Sequence, residues 1–238
     1  MSGFLVLLQY DFGVLLRSWI VRFWFALTVV GGVIAVVVST YYFDDTSFLM
    51  SWALVMYAAL GGFVVLVIST SAISAELPFL GDAVVSRGVA PTSYVLAKLV
   101  ARAVSVLAMF LVVVVPTAFL MQAQALNNDM DGLGILVGVG YWSFMLTVLV
   151  FLGITFSVVF SNTLVGVVVL AVLWYGALAA LAFRYAGSLD QHGILGGLPL
   201  VLQGKSLTIE VSTISALGVV ALLVLPAVAV RVFNNRDL

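Results

Sequence analysis

The feature that most constrains this chain is a succession of apolar runs, each about long enough to cross a bilayer. The first, Phe23 to about Phe43, contains no Asp, Glu, Lys, Arg or His. Further runs follow at about 48–73, 99–121, 133–160, 164–183 and 211–230, with Arg102, near the start of the third, as the one charged residue inside them. A helix of roughly 20 apolar residues spans a hydrocarbon core about 30 Å thick. Inside that core every backbone N–H and C=O has to be paired within the chain, which selects helices over irregular structure. The expected fold class is therefore all-α, a polytopic membrane protein with six transmembrane helices. Composition agrees: 64% of residues are hydrophobic and 8% charged, against about a quarter charged in soluble domains.

The segments between the runs give the organisation of what reads as a single domain, 1–238. Residues 1–22 resemble a signal sequence by apolarity, but no basic leader precedes them and no small-residue cleavage site follows. Phe4, Leu8, Phe12, Leu15 and Trp19 recur on one helical face, with Gln9, Arg17, Ser18 and Arg22 largely off it. This predicts an N-terminal amphipathic helix lying in the membrane interface, with Arg17 and Arg22 on its polar side. The alternative is a long first helix that runs straight into the membrane. Gly61-Gly62 in the second run and Gly134, Gly138 and Gly140 in the fourth read as close helix contacts, a hinge at Gly61-Gly62 being the lesser reading. Pro116 predicts a kink in the third.

Residues 184–210 break the pattern. Their apolar part, Ile194 to Leu202, contains Gly196, Gly197 and Pro199 and is too short to span. A re-entrant or interfacial element before the last span is expected, with an ordinary surface loop as the alternative. Basic residues orient the whole. Arg17, Arg22, Arg87, Lys98, Arg102, Arg231 and Arg236 fall on one side of the six spans, Arg184 and Lys205 on the other. The positive-inside rule then places both termini and the 74–98 connection in the cytoplasm and 184–210 outside.

Several function classes lose ground on the residues alone. The near-neutral charge of -1 provides no basic surface for nucleic acid. Zero cysteines and one histidine leave no thiolate or histidine-rich metal site. Ion-coupled carriers place ionisable groups at membrane depth. Here only Glu76 and Arg102 approach it, near helix ends, which disfavours proton coupling and leaves backbone carbonyls for sodium. Ser188, Asp190 and His192 have the residue types of a hydrolase triad but lack a nucleophile elbow. Gln203-Gly204-Lys205-Ser206 matches the end of a phosphate-binding loop, yet Pro199 stands where its first glycine belongs. The chain therefore reads as a non-enzyme, without catalytic, metal or cofactor-binding residues of its own.

A permease without coupling ions or an ATP site needs an external source of energy, and the 74–98 connection is where a partner could dock. A short helix from about Leu77 to Arg87 would put Leu77, Leu80 and Val84 on one face, with Glu76, Asp82, Ser86 and Arg87 around the others. Gly88 and Pro91 would end it and restart the chain into the third span. The plain alternative is a polar loop.

The order of elements and the local wording resemble the ABC type-2 (ABC-2) exporter permeases. That family's coupling segment commonly has an acidic residue, a Gly-Thr-Leu-acidic-Leu-Leu run, Ser-x-Pro-Val-Ser-Arg, and Tyr four residues before Lys. Glu76, Asp82, Val84, Val85, Ser86, Val89, Tyr94 and Lys98 fall in matching positions. Leu15-Leu16-Arg17-Ser18 and the ending Phe233-Asn-Asn-Arg236-Asp237-Leu238 are similar to family members as well. Phe79-Leu80 stands in place of Gly-Thr, Gly88 of Pro, and Ala90-Pro91 of Ser-Arg. The resemblance implies a plasma-membrane transport subunit, a homodimer or heterodimer with a second permease, and two copies of an ABC ATPase that carry ATP and Mg. It also implies that Glu76 to Arg87 contact the ATPase, that spans two and five face the partner permease, and that Gly196, Gly197 and Pro199 belong to an outward gate. A non-transporting membrane scaffold or regulatory subunit that docks a cytoplasmic partner is the alternative.

Overall fold

The computed structural model describes residues 3–42, 45–76, 90–186, 195, 197–205 and 209–235. Every regular element among them is helical. α1 is Gly3–Arg17 and α2 Trp19–Tyr41. α3 (Thr46–Met56) continues through a π-helical turn, Tyr57–Gly61, into α4 (Gly62–Ser74). Then come α5 (Pro91–Gln124), α6 (Gly132–Val159), α7 (Thr163–Ala186), the one-turn α8 (Leu198–Leu202) and α9 (Ile209–Asn234). With α3 and α4 taken as one, six of these are long and apolar enough to cross a membrane, as expected, and the chain is built as a multi-pass membrane protein.

Two boundaries differ from the hydropathy reading in ways that bear on function. The third span does not begin at Leu99. α5 starts at Pro91, after an extended Ala90 (φ -63°, ψ 129°). Proline suits a first helical position, where its fixed φ fits and no donor is needed, and the helix therefore extends beyond the apolar run. Tyr94 and Lys98, read as part of the connection, lie on α5. The second difference is at Ser18, whose extended backbone (φ -61°, ψ 128°) separates α1 from α2. Arg22 consequently sits on α2 and not on the N-terminal helix; its Nε donates to the Leu16 carbonyl at 2.8 Å and satisfies one of the open carbonyls at the end of α1.

Contacts fix the direction of each helix. Tyr94 of α5 stacks on Phe233 of α9, and Thr163 at the start of α7 hydrogen-bonds Ser74 at 2.7 Å. α1, the start of α5, the start of α7 and the end of α9 thus gather at the Ser74 end of the bundle. The loop 125–131, the start of α3 and α8 gather at the other. α6 is the central helix, apolar around most of its circumference and packed against α4, α5, α7, α8 and α9. It packs tightly on α4. A Cβ on Gly153 would stand 2.3 Å from the Ser69 Cβ, and Ser157 Oγ accepts from the Ile73 and Ser74 N–H groups at 2.8 and 2.9 Å.

The glycine expectations divide. A Cβ on Gly134 would meet the Leu202 carbonyl oxygen at 2.4 Å, and one on Gly138 the Leu202 side chain at 2.9 Å, so both seat α8; Gly140 touches nothing. Gly61 lies under Trp24 of α2 and Gly62 under Trp174 of α7. The same stretch is the π-turn, in which the carbonyls of Ala58 and Ala59 take bonds from Trp174 Nε1 (3.4 Å) and Tyr175 Oη (2.5 Å). Packing and a backbone irregularity therefore coincide there. α5 continues through Pro116 as one helix.

Candidate functional site

Four charged side chains, Asp11, Glu76, Lys98 and Arg102, come together where sequence spacing alone would not have joined them. On α5, Tyr94, Lys98 and Arg102 follow one another at four-residue intervals and form a polar stripe on one face. α1 turns Asp11 toward that stripe, and Glu76 lies in the turn that follows α4, two residues past Ser74. Lys98 Nζ lies 2.6 Å from Asp11 Oδ1 and 2.6 Å from Glu76 Oε1. Arg102 Nη1 reaches Asp11 Oδ2 at 3.5 Å, and its Nε donates to the Ile68 carbonyl of α4 at 3.0 Å. Tyr94 Oη donates to Glu76 Oε2 at 2.5 Å, while its ring stacks on Phe233 of α9 at 5.7 Å.

Asp11 is 2% exposed and Lys98 3%. Charges removed from water to that degree persist only when paired, because desolvation costs several kcal/mol per ion. The pairing is balanced, with the carboxylates of Asp11 and Glu76 facing the cations of Lys98 and Arg102. Glu76 differs from the rest in that its side chain is 40% exposed. It is the rim of the cluster and also the last described residue before 77–89.

This arrangement bears on the candidate residues unequally. Glu76 joins the cluster, and its carboxylate is engaged by Lys98 and Tyr94 within the chain. Leu77, Leu80, Asp82, Val84, Ser86 and Arg87 lie outside the described residues, as do Gly196 and the Ser188, Asp190 and His192 set. Arg17 and Arg22 are exposed at the α1–α2 junction. Asp11 escaped the sequence reading altogether. The expected apolar face of α1 does point inward at Leu15, but Asp11 occupies its middle, and Trp19, assigned to that face, is exposed and stacks on Phe23 at 5.2 Å. The signal that could have found Asp11 was the Tyr94–Lys98–Arg102 stripe itself, since two buried cations demand an acid from a neighbouring helix.

A second polar cluster closes the opposite end. Asp129 Oδ1 accepts from the Ser47 N–H at 2.8 Å, and Oδ2 accepts from Ser47 Oγ and from Gln203 Nε2, the latter at 2.7 Å. Burial raises the affinity of Asp129 for a proton, but these donors more than offset it and hold the carboxyl below its ordinary value. The Asp131 N–H donates to the Leu202 carbonyl at 2.9 Å, and Asp131 Oδ2 caps α6 through the N–H groups of Leu133 and Gly134. Gly197 precedes α8 and Pro199 lies in its first turn. After Leu202 the Gly204 N–H returns to Val201 and the Lys205 N–H to Leu200, both at 2.9 Å, with Gly204 at φ 70°. That is a glycine-terminated Schellman cap. The Gly204-Lys205 pair thereby ends a helix and does not open one, the reverse of a phosphate-binding loop.

Among the described residues no group of three or more metal-ligating side chains converges. No family model matches the chain, nor does any curated protein or solved structure.

Proposed function

We propose that this protein is the membrane-spanning permease subunit of an ATP-driven ABC transporter of exporter type, driven by a separate ATPase that binds at the 77–89 connection. The observation that carries the reading is the position of Glu76. It leads directly into that connection and is held by Lys98 and Tyr94 at the point where α1, α4, α5 and α9 meet. A force applied to the connection would therefore act on four helices together. The clustering of α1 and the end of α9 at this same end agrees with cytoplasmic termini in the plasma membrane, with seven of the basic residues on that side.

In this reading a dimer of the chain, or a heterodimer with a second permease, binds two ATPase subunits that carry ATP and Mg. Leu77, Leu80, Asp82, Val84, Ser86 and Arg87 make the ATPase contact, and Glu76 is the internal root of the segment. ATP-driven closure of the ATPase pair moves the connection and rocks the spans around a cavity between protomers. Such switching requires that the two ATPase states contact the connection differently. Gly196, Gly197 and Pro199 belong to the outward gate.

Co-expression with a candidate ABC ATPase, followed by purification in lipid nanodiscs, tests this. Arg87→Ala is expected to weaken ATPase capture and to lower permease-dependent ATP hydrolysis without altering the thermal unfolding of the permease. Unchanged capture and hydrolysis would sink the assignment. Capture without any movement of substrate into or out of vesicles would identify a docking scaffold instead.

A further inference from the structure

We infer that Asp11 is a positioning residue for the 77–89 connection: α1 holds the root of that segment in place through Lys98. The inference rests on the reading of 77–89 as the coupling segment, and it adds a part to that machinery from a helix whose sequence suggested only a membrane-surface role.

Lys98 is the link. Its Nζ stands at the same 2.6 Å from Asp11 on α1 as from Glu76 just past the end of α4. A buried ammonium has three donors and a long flexible stem, so one carboxylate alone does not define where it sits. With Asp11 on one side, the ammonium is presented to Glu76 at a defined point. Arg102 reinforces the geometry from the next turn of α5 by bridging Asp11 to the Ile68 carbonyl of α4. The ring of Tyr94, 5.4 Å from Nζ at its centroid, covers the ammonium, while its hydroxyl takes the second Glu76 oxygen. Glu76 is therefore located by α5, and the lysine of α5 by α1. Any displacement of the root of the connection has to move α1 or break an ion pair at a site almost closed to water.

The test reads the root directly, through amide hydrogen exchange of the full-length chain in lipid nanodiscs. The reporter is the end of α4 and the turn that follows it, Thr70 to Glu76, where the Glu76 N–H bonds the Ile73 carbonyl at 2.9 Å. Asp11→Asn is expected to speed exchange there by about tenfold, as opening of a locally held unit does, while the first turns of α6 at the opposite end stay unchanged. Asp11→Glu is expected to restore slow exchange. In a Glu76→Gln background Asp11→Asn is expected to add nothing, because the path from α1 to the root is already cut. Unchanged exchange in Asp11→Asn, a rise spread evenly over the whole chain, or an undiminished effect in the Glu76→Gln background would each overturn the inference.

If Asp11→Asn does not accumulate as folded protein, it is combined with Arg102→Gln, which removes one charge of each sign and leaves the Lys98–Glu76 pair in place, and the double variant is read the same way against Arg102→Gln alone. A second measurement separates this inference from the transporter reading. Exchange that responds as expected in a chain that captures no ATPase would retain Asp11 as the positioning residue and refute the coupling role. ATPase coupling that survives with exchange unmoved would do the opposite.

Discussion

At the Ser74 end of the bundle, Lys98 is nearly sealed from water with carboxylates at 2.6 Å on either side. At the other end, the half-buried Asp129 collects hydrogen bonds from Ser47 and Gln203, which are neutral. Both clusters tie helix ends together across long stretches of sequence, yet they differ in what holds them. The first balances full charges in a place where an unpaired one would be costly. The second satisfies one carboxylate that water also reaches, and it holds a one-turn helix against α6. The two ends are therefore suited to different tasks. A buried ion network has few ways of being half made, so it moves as a unit or breaks. A neutral, wetted cluster can loosen bond by bond.

The costliest substitution is expected at Lys98. Lys98→Met leaves Asp11 and Glu76 without their shared ammonium, and loss of one partner from a buried pair costs about 3–5 kcal/mol. Unfolding in mixed detergent micelles measures it. A loss no larger than that of a surface substitution would show that the Ser74 end is wetter than its geometry implies.

An intermediate effect is expected at Gly134, where the second cluster rests on backbone contact. Gly134→Ala would place a methyl group 2.4 Å from the Leu202 carbonyl oxygen. The two backbones have to separate, at a cost of about 1–3 kcal/mol for overpacking. Because α8 is short, the displacement is expected to stay at that end: exchange speeds at Leu202 and Gln203 and is unchanged from Thr70 to Glu76. Spread of the effect to the Ser74 end would break the contrast between the two ends.

The smallest effect is at Asp129, and it depends on pH. Its carboxyl is held below the ordinary value of 3.8 in the folded protein, so it contributes stability that is fully present above that value. The contribution is lost as pH falls through the lower folded value. Asp129→Asn is expected to cost about 1 kcal/mol near neutral pH, given its partial exposure. The gap between the two proteins is expected to start narrowing as pH falls below about 4 and to close only below the lower folded value, where the native side chain is protonated too. Taking the difference between them removes what distant carboxylates contribute, since well-separated sites add. A gap that persisted through strong acid would show that Asp129 acts through shape and not through its charge.

Residue order alone determined the fold class and the number of apolar helices, because hydropathy over about 20 residues reports directly on what a bilayer accepts. It also marked Gly134 and Gly138 as contact points and showed that Ile194 to Leu202 is too short to cross. These are local properties, readable within one helix or one turn. The tertiary structure alone decided that Asp11 belongs with Lys98 and Glu76, since the acid lies 87 positions from its lysine on a helix whose other inward residues are apolar. It decided as well that Tyr94 and Lys98 are buried in the bundle. The physical reason is the same for both. The cost of burying a charge, and the relief from pairing it, depend on which helices meet, and no periodicity along a single helix contains that information.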